Sequence, residues 1–413
     1  QTSCDDTSVA VAEISAGAER QWSLRTLFHR KITANNEAFS GIHPVVALES
    51  HQESLAPLVK MALDNSSRSF GSVDLVCATR GPGMRSNLSC GLDTAKGLAL
   101  GLRVPFIGVH HMQAHALTPR LVSAMRTQPA EHLEDGVAGK PMFPFLTALL
   151  SGGHTMLLES QNLVEHRILA ETQDIALGDC LDKVARAVVP TDRLSAPYGK
   201  ALEDFAFPNG EADFDYTPPY QRRHELETRG TSWAWSLSPP ISKSGAKKMI
   251  YSFSGLLSAV ERIMRHPSDP DGQMNQSICR DPADVTIAER RELAREAQRV
   301  AFEHFASRML LYLESHGTAR SRANISTLVV SGGVASSAYL RHVLRRILDV
   351  RGFPHLALNF PSPELCTDNA LMIAWAGWEM FQAGYRSRMD VRPLRKWSMD
   401  SASPDGGILG TNG

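Results

Sequence analysis

Two short stretches, LLSGGHT at 149–155 and VVSGGVA at 329–335, constrain most strongly what this chain can become. Each runs from apolar residues straight into Ser-Gly-Gly. A buried strand that ends on glycines frees backbone N–H groups to face an anion, with no Cβ to hold a phosphate away. A single turn of this kind is usually only a tight turn. Two of them, each after an apolar run, point to a nucleotide held between lobes, and their echo reads as an internal duplication. TSCDDTSVAVAEI (2–14) adds a third polar turn, an acidic one, ahead of an alternating apolar strand. The three converge on one cleft if two halves of the chain face each other.

Strand followed by helix recurs along the chain. VDLVCATRGPG (73–83) leads into SNLSCGLDTAKGLALGL, VPFIGVH (104–110) leads into HMQAH, and STLVVSGGVASSAYLRHVLRRIL (326–348) repeats the pattern. The expectation is an α/β fold. With 413 residues, 43% of them hydrophobic, the chain can bury a core divided into two or three lobes. No uncharged apolar run reaches eighteen residues, so no membrane span is expected. The six cysteines are scattered without a C-x-x-C pair, which fits a reduced compartment better than a disulfide framework. The N-terminal QTSCDDTSVAVAEI carries no visible signal or transit peptide. A net charge of −1 means that any nucleic-acid contact is local. Arg386, Arg388, Arg392, Arg395 and Lys396 with Trp397 form one basic stretch, and Arg341, Arg345 and Arg346 form another. A solvated face and a phosphate track are equally open readings of either. The stretch 204–250, rich in Pro, Arg, Trp and Ser, reads as an insertion or mobile surface segment.

GVHHMQAH (108–115) places His111 and His115 on one helix face, the spacing at which two imidazoles reach one metal ion. An isolated H-x-x-x-H is more often a pair of satisfied core histidines. Met112 stands where a metallopeptidase needs its glutamate. A third ligand would change the balance, and the candidate is Asp368, in a polar turn just before the buried helix NALMIAWAGWEMFQAG. A helix cap is the simpler local reading of Thr367-Asp368-Asn369. Two imidazoles and a carboxylate suit zinc or iron and leave positions open for a substrate oxygen.

TSCDDTSVAV, TRGPGMRSNLSCGLDTAKGLA, GVHHMQAH, LLSGGHT, YSFSGL, VVSGGVAS and PELCTDNALMIAWAG follow one another as in the tRNA N6-threonylcarbamoyladenosine transferase family. This TsaD-like family was once described as O-sialoglycoprotein endopeptidases. The chain resembles it over nearly its whole length, and DIALGDCLDKVAR is similar to the compact version found in its mitochondrial branch. The resemblance implies an actin-like, sugar-kinase-like ATPase (ASKHA) fold of two duplicated lobes with a nucleotide cleft between them. The N-terminal lobe would be about 1–120 plus 366–400. The C-terminal lobe would be about 140–365, with the insertion inside it. The implied activity is transfer of threonylcarbamoyl from L-threonylcarbamoyladenylate to N6 of adenosine 37 in tRNAs that read ANN codons. A metallopeptidase and an ATP-dependent phosphotransferase of the same fold are the alternatives.

By the same resemblance, His111, His115 and Asp368 would hold one divalent metal ion per subunit, zinc or iron. Leu149, Leu150, Ser151, Gly152, Gly153 and His154 would line the adenylate site. Asp182 would bind its ribose, and Gly199, Glu203, Ser336 and Ser337 its nucleoside end. Asp5 would act in positioning or proton transfer. The family also implies tRNA as partner, a separate synthase for the adenylate, a homodimer, no membrane and a mitochondrial matrix address. Three departures stand out: only Gln1 and Thr2 precede Ser3 where the family usually has a strand, Ser337 replaces a common asparagine, and Tyr198 replaces the first glycine of a Gly-Gly pair.

Overall fold

A computed structural model describes residues 1–16, 22–36, 39, 42–65, 73–126, 141–243, 245–268, 275, 277–316 and 325–410. The chain opens with strands β1 (Asp6–Ala16) and β2 (Trp22–Thr33), then α1 (Pro44–Asn65), β3 (Val76–Gly81), α2 (Arg85–Leu102), β4 (Phe106–His110) and α3 (His111–Arg126). It continues through β5 (Phe145–Leu150), β6 (Thr155–Ser160), β7 (His166–Thr172), α4 (Leu177–Val188) and α5 (Tyr198–Ala206). The short strands β8 (Arg229–Gly230), β9 (Ser236–Leu237) and β10 (Ile250–Tyr251) precede α6 (Ser254–Arg265) and the long α7 (Ile287–His316). Last come β11 (Thr327–Ser331), α8 (Ala338–Val350), β12 (Ala357–Asn359), α9 (Pro363–Cys366) and α10 (Ala370–Gln382). The expected strand-to-helix steps are therefore present at β3 and α2, at β4 and α3, and at β11 and α8.

One compact unit comprises Gln1–Phe145, Glu159–Arg167 and Pro361–Gly413. Within it β1 pairs antiparallel with β2, with an irregularity between Val11 and Ala12, and β3 pairs parallel with β4. Helix α10, almost wholly apolar, packs on α3, β1, β3 and β4, which is why so many of its side chains are buried. A Cβ at Gly377 would overlap the Cys77 side chain, so only glycine lets this helix lie so close to β3. Strands β1 and β3 belong to different two-stranded sheets. A groove of about 540 Å3 is lined by residues 8–15 of β1, residues 73–78 running into β3, and helices α1, α2 and α10.

The other unit comprises Leu146–Leu158 and Ile168–Phe360. Its six-stranded sheet has the order β10-β7-β6-β5-β11-β12. Strand β11 lies parallel to β5, with Ser331 opposite Leu149, so the two Ser-Gly-Gly turns leave neighbouring strands of one sheet. Both turns of the echo thus fall within a single unit. Gly332 has φ +94°, and a Cβ there would collide with the Leu150 carbonyl, so the second turn packs on the first only through glycine.

Helix α7 packs against α4, α5, α6 and α8, which explains its weak amphipathic pattern: it is buried from several sides. Its buried charges need partners, and the 204–250 stretch supplies them. Tyr216 Oη and Arg229 Nη2 each donate to Glu303 Oε1 at 3.0 Å, and Trp235 Nε1 donates to Glu289 Oε1 at 3.1 Å. Tyr216, Trp235 and Leu237 are buried. The expectation of a mobile surface segment is corrected here. Weak periodicity reflects short elements anchored by single side chains.

Candidate functional site

Strand β4 ends at His110 and α3 begins at His111, so both metal-ligand candidates sit in the first turns of a helix whose start is fixed by a buried strand. The His111 and His115 rings stack with centroids 4.8 Å apart, and each residue is 7% exposed. Their Nε2 atoms are 2.9 Å apart, and lie 3.0 and 3.1 Å from Asp368 Oδ1. Burial alone would raise the Asp368 carboxyl, but the imidazoles of His111 and His115 hold it well below the usual carboxylate range. Burial lowers His115, against the pull of Asp368.

With Asp368 ionised, no choice of tautomers satisfies all three contacts. If both Nε2 atoms carry protons, two N–H groups face each other; if one does not, its lone pair faces a carboxylate oxygen. A divalent cation removes the conflict, and separations near 3 Å are those of ligands about 2.1 Å from one ion and a right angle apart. The residues fit the metal. The three are also the one group of His, Cys, Asp and Glu side chains among the described residues that converges in this way, with ligand atoms within 4.8 Å of one another.

The other carboxylate oxygen, Oδ2, accepts from Gln1 Nε2 and Ser3 Oγ, both at 3.1 Å. These two orient the ligand. Neither residue is marked by its local sequence, because their partner lies more than 360 residues away. The capping reading of Thr367-Asp368-Asn369 is also resolved. Asn369 is the cap, its Oδ1 accepting the Met372 N–H at 2.9 Å, which leaves Asp368 for the histidines. Met112 is buried.

Asp5 and its neighbour Asp6 behave differently. Asp6 pairs with Lys31 at 3.0 Å and accepts from Thr33 Oγ1. Asp5 has a long contact of 3.4 Å from Asn36 Nδ2; burial, aided by the charge of Asp6, raises its carboxyl.

In the other unit, Leu149 and Leu150 end β5 fully buried, and the 151–154 turn folds on itself. Ser151 N–H donates to the His154 carbonyl at 2.8 Å, while the N–H groups of Gly153 and His154 donate to Ser151 Oγ at 3.3 and 3.0 Å. The N–H groups of Ser151, Gly153 and His154 are thus paired within the turn itself. A Cβ at Gly152 or Gly153 would meet only open space.

Asp182, on α4, accepts the Gly199 N–H at the start of α5; burial nevertheless raises its carboxyl. Tyr198 takes the Arg186 guanidinium over its ring at 4.6 Å. Glu203 reaches α8, where its carboxylate accepts from Ala338 N at 3.1 Å, Tyr339 N at 3.3 Å and the Ser337 hydroxyl. Ser337 itself caps α8, accepting from Leu340 N at 3.0 Å, and Ser336 Oγ donates to the Gly333 carbonyl at 2.7 Å. Glu203 and Ser337, expected at a nucleoside, are joined to each other and to a helix start.

The basic stretches are used internally only in part. Trp397 is 7% exposed, and its Nε1 donates to the Gly407 carbonyl at 3.0 Å, so it offers no face to a base. Arg388 pairs with Asp390 at 2.9 Å, and Arg386 lies over Phe381 while donating to the carbonyls of Phe381 and Tyr385. On α8, Arg341 binds the Ala335 carbonyl, and Arg345 binds those of Leu356 and Phe353. Arg346, Arg392, Arg395 and Lys396 stay exposed.

Comparison with known proteins places the chain in a family. The sequence pattern of the family described as TsaD, tRNA N6-adenosine threonylcarbamoyltransferase, matches residues 26–375. The chain is 37% identical over 410 residues to the mitochondrial tRNA N6-adenosine threonylcarbamoyltransferase of Schizosaccharomyces pombe, covering 97% of this chain and 85% of that one. It is 32% identical to the tRNA N6-adenosine threonylcarbamoyltransferase of Gluconobacter oxydans, covering 98% and 93%. Among solved structures, HypF of T. kodakarensis is similar at 14% identity and a TM-score of 0.45, covering 93% of this chain and 49% of that one.

Proposed function

The chain belongs to the TsaD family of tRNA N6-adenosine threonylcarbamoyltransferases, and from that premise we propose how its own residues carry the reaction. It transfers the threonylcarbamoyl group of L-threonylcarbamoyladenylate to N6 of adenosine 37 in tRNAs reading ANN codons, with release of AMP. The fold is of the ASKHA type, an α/β fold with a mixed sheet. We read it as two lobes, about 1–120 with 366–400 and about 140–365, in the manner of that fold.

The donor is a mixed anhydride, so its carbonyl is already activated and AMP leaves without a covalent enzyme intermediate. N6 attacks the carbamoyl carbon, a C–N bond forms, the bond to the AMP phosphate oxygen breaks, and N6 gives up one proton. Asp5 takes that proton, its carboxyl being raised by burial and by the charge of Asp6. Gly152 N–H and the open approach beside it face the developing charge. Asp182 holds the ribose and Gly199 shapes its loop. Glu203 with Ser337 sets the start of α8, which borders the nucleoside. His111, His115 and Asp368 hold one zinc or iron ion, which when bound supplies electrostatic stabilisation to oxygens that gain charge.

The observation that carries this reading is the convergence of His111, His115 and Asp368 in a chain of this family. The absence of a glutamate at Met112 suits it, since a water activated beside a mixed anhydride would only hydrolyse the donor. By the same family reasoning we place the enzyme in mitochondria, as a homodimer fed by a separate adenylate synthase. The test is incubation with threonylcarbamoyladenylate and unmodified tRNA, followed by nucleoside mass analysis and AMP measurement. Arms with ATP alone and with a glycoprotein substrate separate a phosphotransferase and a peptidase. Modified adenosine with stoichiometric AMP is the expected result, and cleaved glycoprotein or transferred phosphate without it overturns the proposal.

A further inference from the structure

His110 touches neither substrate nor metal in this scheme, yet it is held more completely than either ligand. Its ring is 1% exposed. Nδ1 accepts the N–H groups of Met112 at 3.2 Å and Gln113 at 3.4 Å, the amides that a helix N-cap side chain satisfies. Nε2 donates to the Trp397 carbonyl at 3.1 Å, and the ring lies against the Trp397 indole with centroids 4.5 Å apart. The two partners define one tautomer, an acceptor at Nδ1 and a donor at Nε2. The segment that carries Trp397 is itself pinned to the ends of β3 and β4. Leu394 N donates to the Arg80 carbonyl at 2.8 Å, Ser387 N to that of Phe106 at 3.0 Å, and Arg80 lies over the Trp397 ring at 5.2 Å.

His115 lacks the support that usually orients a metal-bound imidazole. Such a ring normally donates its second nitrogen to a carbonyl or carboxylate. His115 Nδ1 is buried with no hydrogen-bond partner among the described residues. Its aim must come from the phase of the helix that carries it. The first turn of α3 is where that phase is set, and His110 ties this turn to the C-terminal segment.

We propose that His110 is a positioning residue of the metal centre: its ring caps α3, straps it to the Trp397 carbonyl, and so points His111 and His115 at Asp368. The inference rests on the metal reading above, and its test distinguishes the two. Zinc affinity is measured on purified full-length protein by chelator competition, alongside the visible absorption of the cobalt(II) form, for wild type, His110→Ala, His110→Ser and His110→Asn. Asparagine supplies an acceptor for the amides and a donor for the carbonyl. Serine supplies only the acceptor. Wild type binds one zinc. His110→Ala loses about 10- to 100-fold in affinity with an altered cobalt spectrum. His110→Asn stays within about threefold with the wild-type spectrum. Equal affinity of a folded His110→Ala, or an asparagine variant as weak as alanine, overturns the proposal while leaving the metal site standing. Wild type without zinc affinity overturns both. Should His110→Ala not fold, His110→Ser decides: a loss of about tenfold against asparagine supports the strap, and parity overturns it.

Discussion

The His111, His115 and Asp368 cluster and the region around Ser151, Glu203 and Ser337 treat their polar atoms in opposite ways. In the first, three ligand atoms crowd one point with no set of protons to reconcile them, while surrounding groups, Gln1, Ser3 and His110, make ordinary hydrogen bonds. In the second, the hydroxyl of Ser151 and the carboxylate of Glu203 are satisfied within the protein, holding a turn and a helix start. A site left in internal conflict is completed by something that brings charge. A site that satisfies itself presents shape, with few atoms left to face a ligand. Loss of a residue should therefore strike function in the first region and local stability in the second.

The sharpest break of that contrast is His111→Ala. Transfer to tRNA should fall by three orders of magnitude or more with bound metal lost and the circular dichroism spectrum unchanged; transfer at the wild-type rate by metal-free protein would remove the metal from the reaction. Next comes Trp397→Ala. Removal of a buried indole should cost about 3–5 kcal/mol in denaturant unfolding, and a drop in tRNA affinity at unchanged stability would restore the indole as an RNA contact. Glu203→Ala should cost about 1–2 kcal/mol through the lost support at α8, with a modest rise in KM for the adenylate. A collapse of kcat at unchanged stability would turn it into a residue of the reacting centre.

Acid sensitivity sharpens the comparison from another side. Burial lowers His166, in the first unit, to about 4 and His304, in the second, to about 3. Both are neutral when folded and take up a proton more readily when unfolded. Their contribution is fully present above pH 6.5 and is lost as pH falls through the folded values, at about 1.4 kcal/mol per pH unit for each. His166→Asn should flatten the acid limb between pH 6.5 and 4, and His304→Gln should do so down to about 3; an unchanged slope in either would show that its ring does not stay neutral in the fold. The smallest effect belongs to Arg388→Glu. Arg388 is already paired with Asp390, so tRNA binding should change less than twofold in a filter assay at moderate salt.

Much of this site was legible early because its geometry is local. The H-x-x-x-H spacing places His111 and His115 on one face of any α-helix, and an apolar run ending in Ser-Gly-Gly makes a buried strand and an exposed turn whatever surrounds it. The order of motifs was enough to recognise the family. Less legible were the roles of groups whose partners are remote or compete locally. Ser151 could offer its hydroxyl outward or to its own turn, and only the folded turn chose. The basic stretches left a solvated face and a phosphate track equally open, whereas Trp397 and Arg345 are held by carbonyls that the sequence does not advertise.

The sequence by itself determined the alternation of strand, turn and helix, the shared face of the two histidines and the family to which the chain belongs. Each follows from backbone periodicity or from residue order, and none of the three depends on what packs against it. Only the tertiary structure decided that Asp368 comes to His115 across 253 positions while Asn369 takes over the cap, and that the two Ser-Gly-Gly turns are neighbours in one sheet. A buried polar atom must find a partner, and which one it finds is settled by the packing of apolar faces that bring distant segments together.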